Sequence, residues 1–170
     1  TSQLIIEGTI SEYNIMKSII KDNVVETSTK AGGALFCSES TCIVNNTIVK
    51  NNQAVKGAGL YLEEGTINIL RSVIEENGNS NTKYGGALYC KGFTTGANDV
   101  SCIISSTSIL RNNKATKTGD VKYGGGGIYT HSKVSLLIKD TYMLNNEADG
   151  SNNGDEIFTY KYVNYEPTIT

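Results

Sequence analysis

Short apolar runs alternate with polar turns along the chain, and two motifs recur five times in a fixed order. The first motif is a Ser or Thr followed by two apolar residues, two mostly polar residues and an Asn. Its copies are residues 18–23, 47–52, 72–77, 108–113 and 141–146. The second motif is a glycine-rich step that leads into an apolar and then an aromatic residue. Its copies are residues 32–36, 57–61, 85–89, 125–129 and, degenerately, 154–158. This regular recurrence indicates a repeat architecture.

A third β-branched or apolar segment lies between the second motif and the next copy of the first, as in residues 42–44 and 102–104. No segment keeps a helical periodicity, and none reaches the ten or so residues that a helix would need. Each unit therefore holds three short strands separated by turns. Because one such unit cannot bury a core alone, the units must stack on one another. The sequence predicts an all-β fold, a parallel β-solenoid of about five coils, as a single domain over residues 1–170.

Composition and charge exclude several functional classes. The 170 residues suffice for one domain with a core. A formal net charge of −2 leaves no basic excess to bind nucleic-acid phosphates. The longest apolar stretch, residues 134–138, is too short to span a bilayer, and no signal peptide is visible. We expect no nucleic-acid partner and no membrane span in this segment, which we expect to belong to a longer protein.

The repeated asparagine of the first motif predicts a structural column. Asparagine tolerates left-handed turn conformations, and its amide can bond along a stack of identical side chains. The glycines of the second motif permit a tight corner into the next strand. We interpret both columns as structural rather than catalytic. The predicted asparagine ladder consists of Asn23, Asn52, Asn77, Asn113 and Asn146.

Two apolar columns are predicted on the outside of the stack. Side chains alternate across a strand, so each motif places one apolar position inward and its neighbour outward. The predicted outward residues are Phe36, Tyr61, Tyr89, Tyr129 and Phe158 from the second motif, and Ile19, Ile48, Val73, Ile109 and Tyr142 from the first. Three interpretations remain open. The columns stack on themselves or lie under a loop, they form a lateral contact surface, or the aromatic residues form a platform for sugars.

The four cysteines stand in two equivalent places of the repeat. Cys37 and Cys42 flank one turn, and Cys90 and Cys102 flank the equivalent turn two units later. We predict disulfides Cys37–Cys42 and Cys90–Cys102, which favour an oxidising compartment. A zinc site and free thiols are the alternatives, although the spacings fit zinc poorly. Residues 45–47 form a lone glycosylation sequon.

These motifs resemble the repeats of the pectin-lyase-like superfamily, and most of all the polymorphic outer-membrane protein type. The resemblance covers residues 16–158 and implies a right-handed parallel β-helix with three short strands per coil. Members of the superfamily include adhesins, autotransporter passengers, phage tailspikes and polysaccharide lyases or hydrolases. The chain departs from the pattern in its fifth unit, which lacks the Gly-Gly-Ala signature because Asp155 and Glu156 follow Gly154. That unit is therefore expected to be a cap or a site.

The acidic residues are scattered, and no column stacks them on successive units as a polysaccharide-cleaving site would need. We expect His131 to be a solvated turn residue rather than a base. Residues 149–155 imitate the start of a calcium loop, with Asp149, Asn153 and Asp155 as ligands. Tyr160 stands where a bidentate Glu belongs, so the candidate is weak. We expect no catalytic residue, no metal and no cofactor.

We expect a non-enzymatic extracellular or cell-surface module that serves as a scaffold or adhesion surface for protein–protein or surface recognition. Every repeated residue has a structural explanation, and no reactive constellation is left over. The alternative is a carbohydrate-active domain that cleaves or binds a polysaccharide. Ice binding is a third interpretation, which a Ser/Thr column only one residue wide disfavours. We expect a protein partner or flanking repeats of the same chain at the ends of the stack, and a glycan is a second candidate ligand.

Overall fold

A computed structural model describes residues 4–7, 12–25, 31–92, 100–116, 124–131, 133–148, 155–159 and 168–169. Within these residues the secondary structure consists of β-strands and turns, and no helix occurs. The strands form three sheets. The fold is therefore all-β, which agrees with the absence of helical periodicity in the sequence.

The largest sheet has ten strands. They are β1 (Leu4–Glu7), β2 (Glu12–Met16), β4 (Leu35–Asn45), β6 (Leu60–Leu70), β8 (Leu88–Lys91), β9 (Val100–Ser105), β12 (Ile128–Thr130), β13 (Val134–Ile138), β16 (Ile157–Thr159) and β17 (Thr168–Ile169). The second sheet consists of β3 (Ile19–Lys21), β5 (Ile48–Lys50), β7 (Val73–Glu75), β10 (Ser108–Arg111) and β14 (Thr141–Leu144). The third pairs β11 (Lys114–Ala115) with β15 (Glu147–Ala148).

All pairings between these strands are parallel, and equivalent positions of successive repeats lie side by side. In the second motif, Leu35 pairs with Leu60, and Leu60 pairs with Leu88. In the first motif, Val49 pairs with Ile74. Parallel neighbours need a crossover connection rather than a hairpin, and the remainder of each unit supplies it. The repeat of the sequence is thus a repeat of the structure.

Two units depart from the predicted three separate strands. β4 and β6 each run for 11 residues and contain both the second-motif strand and the third segment. The pairing continues through the predicted turn, because Ser40 lies beside Gly65. Left-handed φ values of 50° at Glu39 and 60° at Glu64 turn the backbone there without ending the ladder. The sequence predicts a turn here, but it does not show that strand pairing continues on both sides of the bend.

Two strands lie beyond the span of the recognised repeats. β1 places Leu4 beside Leu35, and β17 places Thr168 beside Ser135. Neither segment carries the glycine-rich step or the repeated asparagine. β1 and β17 pair with strands of neighbouring units but carry no copy of either motif. The repeat pattern within residues 16–158 therefore does not predict these strands.

One side of the strands contributes to a single apolar core. Its fully buried members include Leu35, Val49, Leu60, Ile69, Ile74, Leu88, Ile104, Leu110, Ile128 and Leu136. The inward positions of the outermost units, Ile20 and Met143, pack against this core but are only partly buried. Each middle unit is therefore covered by a neighbour on both sides, whereas each outer unit is covered on one side.

The repeated asparagine does not itself adopt the left-handed conformation of the turn. Positive φ values, between 54° and 59°, occur at the residue that precedes it, namely Asp22, Asn51, Glu76, Asn112 and Asn145. The ladder asparagines themselves lie outside this region. The expectation that the repeated asparagine makes the turn is therefore wrong. Its predecessor adopts the left-handed conformation, which asparagine tolerates better than most residues.

The glycines of the second motif serve two purposes. Gly85 has a φ of 59°, a conformation that favours glycine. A Cβ atom on the next residue, Gly86, would collide with the backbone of Gly126 and Lys114. The first glycine thus makes the corner, and the second allows the backbones of neighbouring units to approach closely.

Candidate functional site

The five ladder asparagines form a continuous hydrogen-bonded column. In the first four, Nδ2 donates to the Oδ1 atom of the asparagine in the next unit, at 2.8–3.0 Å. The backbone N–H of each also donates to that Oδ1 atom, at 3.0–3.1 Å. From Asn52 onward, the second amide hydrogen reaches a backbone carbonyl of the preceding unit. No polar atom of a buried ladder amide is left for a ligand, so the column has a structural role.

Asp155 and Glu156 close the column at its last unit. The Nδ2 atom of Asn146 donates to the Glu156 carboxylate at 2.5 Å. The backbone N–H of Ala148 donates to the Asp155 carboxylate at 2.9 Å. These carboxylates take the place of the acceptors that a further unit would offer. The geometry supports the cap interpretation of the fifth unit rather than the site.

A second polar column lies inside the stack, and sequence reasoning did not identify its role. Thr47, Ser72 and Ser108 are buried at the first position of the first motif. Their hydroxyl groups donate to backbone carbonyls and accept backbone N–H groups of the preceding unit. The recurrence of Ser or Thr was the available signal. Because these hydroxyls are internal, they offer no ordered surface for ice.

The three central tyrosines of the aromatic column are buried, so they do not form an exposed contact surface. Tyr61, Tyr89 and Tyr129 are only 3%, 5% and 1% exposed. They form a cluster separate from the main core, so they do point away from it as the alternation predicts. Tyr84 packs its ring against Tyr89 and Tyr129 at 5.7 and 5.0 Å between centroids, and Ala31 joins the same cluster.

The rings cover one another along the stack. Phe36 stacks on Tyr61 at 5.2 Å, and Phe158 stacks on Tyr129 at 5.1 Å. Phe36 and Phe158, at the two ends, are partly buried. A sugar platform requires free ring faces, and the three central tyrosines have none to offer. The interpretation that the aromatic residues stack on themselves and lie under a loop fits this geometry.

Burial raises the pKa of Tyr61 and Tyr89 well above the ordinary value, and the Glu63 carboxylate adds to the effect at both phenols. We therefore predict that these two tyrosines stay protonated in the folded chain when ordinary tyrosines ionise. The unfolded chain ionises them near pH 10, so it binds fewer protons and stability falls as the pH rises above 10. An ultraviolet titration should show a late phase that coincides with unfolding. Ionisation of all ten tyrosines in one reversible step would contradict the burial.

The aliphatic column of the first motif is the exposed one. It runs along the five-stranded sheet in register and consists of Ile19, Ile48, Val73, Ile109 and Tyr142, hereafter the outer stripe. Ile19 is 64% and Tyr142 60% exposed, and Ile48 is also exposed. Val73 and Ile109, on central strands, are half-buried. A contiguous exposed apolar surface on a regular sheet is typical of an interaction site.

Charged residues border the outer stripe. Lys21, Lys50, Glu75 and Arg111 occupy the next outward position on the same strands. The Arg111 guanidinium donates two hydrogen bonds to the Glu75 carboxylate, at 2.6 and 2.8 Å. The Lys21 ammonium group forms a second ion pair, with the Asp22 carboxylate at 3.5 Å. The stripe therefore combines an apolar centre with a polar rim, as protein interfaces do.

A mixed-charge column lies beside the aromatic cluster. Glu63 pairs with Lys91 in neighbouring strands, and their side chains form an ion pair. The Tyr61 hydroxyl donates to the same carboxylate at 3.4 Å. His131 follows Thr130, which pairs with Cys90, so it lies in the unit next to Lys91. The register of distant strands creates this column, and the sequence alone does not show it.

His131 is half-buried rather than a solvated turn residue. Burial lowers its pKa, and the positive charges of Lys91 and Lys56 act in the same direction, while a hydrogen bond with the Gly92 backbone opposes them. Its imidazole is therefore neutral at pH 7. A carboxylate, an ammonium group and a neutral imidazole on successive units form the one mixed constellation that we find in the described part of the chain.

The structure brings the cysteines together in the two pairs named from the sequence. Cys37 is bonded to Cys42, and Cys90 to Cys102, and the described residues include no free cysteine. Both pairs are buried in the main core. An unbridged unit lies between them, in which Leu62 and Ile67 take the cysteine positions. The pairs suit an oxidising environment.

We predict that the longer disulfide loop stabilises the fold more. The bonded cysteines are separated by 5 residues in one pair and by 12 in the other. The chain-entropy relation then gives about 2 kcal/mol for Cys37–Cys42 and about 3 kcal/mol for Cys90–Cys102. The double variants Cys37→Ala/Cys42→Ala and Cys90→Ala/Cys102→Ala, compared by urea unfolding, test this order. The reverse order would contradict it.

Only one of the three calcium candidates lies within the described residues. Asp149 and Asn153 lie outside the described residues, and Asp155 accepts the hydrogen bond of the cap. Within the residues that the structure describes, no group of three or more His, Cys, Asp or Glu side chains could hold a metal ion. Over the same ranges, no helix has the length and apolar character needed to cross a membrane.

Comparison of the chain with protein-family models, with curated proteins and with solved structures gave no match. The resemblance to pectin-lyase-like repeats therefore rests on the two motifs alone. Function has to be argued from the geometry of the exposed surfaces, because a fold by itself does not determine it.

Proposed function

We propose that the chain folds as a right-handed parallel β-helix of about five coils, of the type seen in polymorphic outer-membrane protein repeats. The parallel, in-register pairing of equivalent positions supports this arrangement, as does the single core on one side of the strands. Crossover connections between parallel strands are right-handed in about 98% of cases. One chain passing repeatedly through the same strand positions would give a rigid, elongated module.

We further propose that this module is a non-enzymatic scaffold or adhesion element that recognises a protein or a cell surface. The outer stripe is the observation that carries the proposal. It presents exposed Ile19, Ile48 and Tyr142 on a regular sheet, where nothing in the described part of the chain covers them. Burying such side chains against a partner contributes about 1.5–3 kcal/mol each. The five aligned positions therefore offer a partner a continuous apolar strip to bury.

The proposed location is extracellular or on the cell surface. Two buried disulfides support it, because such bonds persist in oxidising compartments. Flanking repeats or a partner would cover the partly buried inward residues at the ends of the stack, such as Ile20 and Met143. At the amino-terminal end, strand pairing would continue across such a contact.

The experiment compares two double variants that each add two lysines to an outward sheet face. Ile48→Lys/Tyr142→Lys changes the outer stripe, and Thr41→Lys/Ser135→Lys changes outward positions of the ten-stranded sheet. We expect the stripe variant to lose about tenfold or more in binding to cells and to immobilised extracellular proteins. The control should bind like the wild type, with all three chains giving the same circular dichroism. Equal binding by both variants would overturn the proposal.

The alternative, a carbohydrate-active domain, is favoured by the mixed-charge column of Glu63, Lys91 and His131. A glycan array followed by product analysis on acidic polysaccharides separates the two functions. We expect no turnover. Turnover that is lost in His131→Gln and kept in Ile48→Lys/Tyr142→Lys would replace the adhesion proposal by this alternative.

A further inference from the structure

We infer that Asn45 is a site of N-glycosylation and that its glycan borders the outer stripe. Asn45, Asn46 and Thr47 form the one Asn-x-Ser/Thr sequence among the asparagines of the chain. The inference rests on the proposed extracellular location, since oligosaccharide transfer and disulfide formation both belong to the secretory pathway. It adds a covalent modification to the surface that carries the proposed function.

The attachment atom of Asn45 is available. Asn45 is the last residue of β4 and lies on the outward side of the sheet. The Arg71 guanidinium donates to its Oδ1 atom at 2.8 Å, whereas its Nδ2 atom finds no acceptor in the described part of the chain. An N-glycosyl bond forms at Nδ2 and keeps the carbonyl. The glycan would therefore replace no interaction, and the Arg71 hydrogen bond would remain to orient the amide.

The ladder asparagines differ in this respect. The Nδ2 atom of Asn77 donates to Asn113 at 3.0 Å and to the Val49 carbonyl at 3.0 Å. Asn77 is also fully buried. A substituent on such an amide would remove two hydrogen bonds and would not fit. Asn45 is therefore distinguished from the column by its free nitrogen as well as by its sequon.

Thr47, the third residue of the sequon, determines whether the oligosaccharide must be transferred before or after the chain folds. In the folded chain Thr47 is buried, and its hydroxyl bonds the carbonyls of Ile15 and Asn45 at 3.3 and 3.1 Å. An enzyme that reads the sequon cannot reach this hydroxyl after folding. Transfer must therefore precede the pairing of β5 with its neighbours.

The reaction balances with a lipid-linked oligosaccharide as donor. The Nδ2 atom of Asn45 attacks the anomeric carbon of the first sugar. A carbon–nitrogen bond forms, the bond from that carbon to the pyrophosphate oxygen breaks, and the nitrogen loses one proton. The lipid pyrophosphate leaves, and no oxidant or reductant is consumed.

The glycan would restrict how a partner reaches the outer stripe. Asn45 pairs with Met16 on one side and Leu70 on the other, which are exposed and half-buried, respectively. A single turn through Asn46 separates it from Ile48. A sugar at this corner covers the apolar surface beside Ile48, so we expect the partner to approach from the Tyr142 end of the stripe.

The test is secretion of the chain, expressed behind a signal peptide, from a mammalian cell line. The wild type, Asn45→Gln and Thr47→Ser are compared by non-reduced intact mass before and after treatment with peptide N-glycosidase. We expect the wild type and Thr47→Ser to lose the mass of one core oligosaccharide, with Asn45 converted to Asp in a peptide map. Asn45→Gln, which keeps an amide for Arg71, should show no change.

The outcomes separate this inference from the proposed function. A secreted, disulfide-bonded wild type without a glycan would overturn the inference and leave the location standing. A retained wild type with free thiols would overturn both. Chain refolded from bacteria should not accept a glycan from the purified transferase and donor, whereas the urea-unfolded and diluted chain should. Equal modification of the refolded and unfolded chains would contradict the order of transfer and folding.

Discussion

Replacing Tyr89 by alanine is expected to lower the free energy of unfolding by about 3–5 kcal/mol. Its ring contacts those of Tyr61, Tyr84 and Tyr129, with centroids 5.0, 5.7 and 4.9 Å away. Truncation removes these contacts and leaves a cavity between strands whose spacing the ladder holds constant, so the cavity cannot collapse. Urea unfolding followed by circular dichroism measures the effect.

Two further variants test whether the loss of stability in Tyr89→Ala comes from the burial of its ring. Tyr142→Ala removes the same side chain from an exposed position and should change the free energy of unfolding by no more than about 0.5 kcal/mol. Tyr89→Phe keeps the ring and should cost less than about 1.5 kcal/mol. If Tyr142→Ala destabilised the chain as much as Tyr89→Ala, the burial of the aromatic column would be refuted.

Replacing Asn113 by alanine is expected to cost about 3–5 kcal/mol. The backbone N–H and the Nδ2 of Asn77 would lose their acceptor, and the Ile74 carbonyl would lose its donor. The Oδ1 atom of Asn146 would lose one of two donors. Each buried polar group left without a partner costs about 1–3 kcal/mol. The expected loss of stability is larger than that of an ordinary hydrogen-bond deletion, because the Asn113 side chain links its own unit to the units before and after it.

The matched control for the ladder is Asn14→Ala. Asn14 is exposed on β2, and within the described ranges its side chain bonds only the Glu12 carboxylate. We expect a change within about 0.5 kcal/mol. Thermal unfolding of both variants and the wild type, at equal protein concentration, decides the comparison. A loss for Asn113→Ala no greater than that for Asn14→Ala would show that the column contributes little.

The all-β class and the alignment of repeats follow from the sequence because each unit repeats its strands and turns in the same order. Polar residues that repeat at one position, such as Asn77 and Asn113, must share an environment, so the column was predictable. The fused strands and the two outer strands were not. Pairing that continues through a turn, as at Glu64, and a strand such as β1 without a motif leave no pattern to detect.

Sequence reasoning placed the aromatic column on the outward side but left open whether it is covered there. Alternation states which side of a strand a residue occupies, but it does not state what covers that side. Tyr84 lies in a connection of variable length between the motifs, and no periodicity places it over Tyr89. The mixed-charge column was missed for a related reason, because Lys91 and His131 become neighbours only through the strand register.

The asparagine column has a polarity. Each Asn-to-Asn bond in it runs in the same direction, from Nδ2 to the Oδ1 atom of the next unit. The first acceptor, Oδ1 of Asn23, takes no hydrogen bond in the described part of the chain, whereas the last donor ends on Glu156. An internal unit contributes one acceptor and one set of donors, so gene duplication or deletion of a whole unit leaves the balance of hydrogen bonds unchanged. The unit with Glu156 cannot be exchanged in this way. Changes in the number of units during evolution should therefore occur on the amino-terminal side of Asn146.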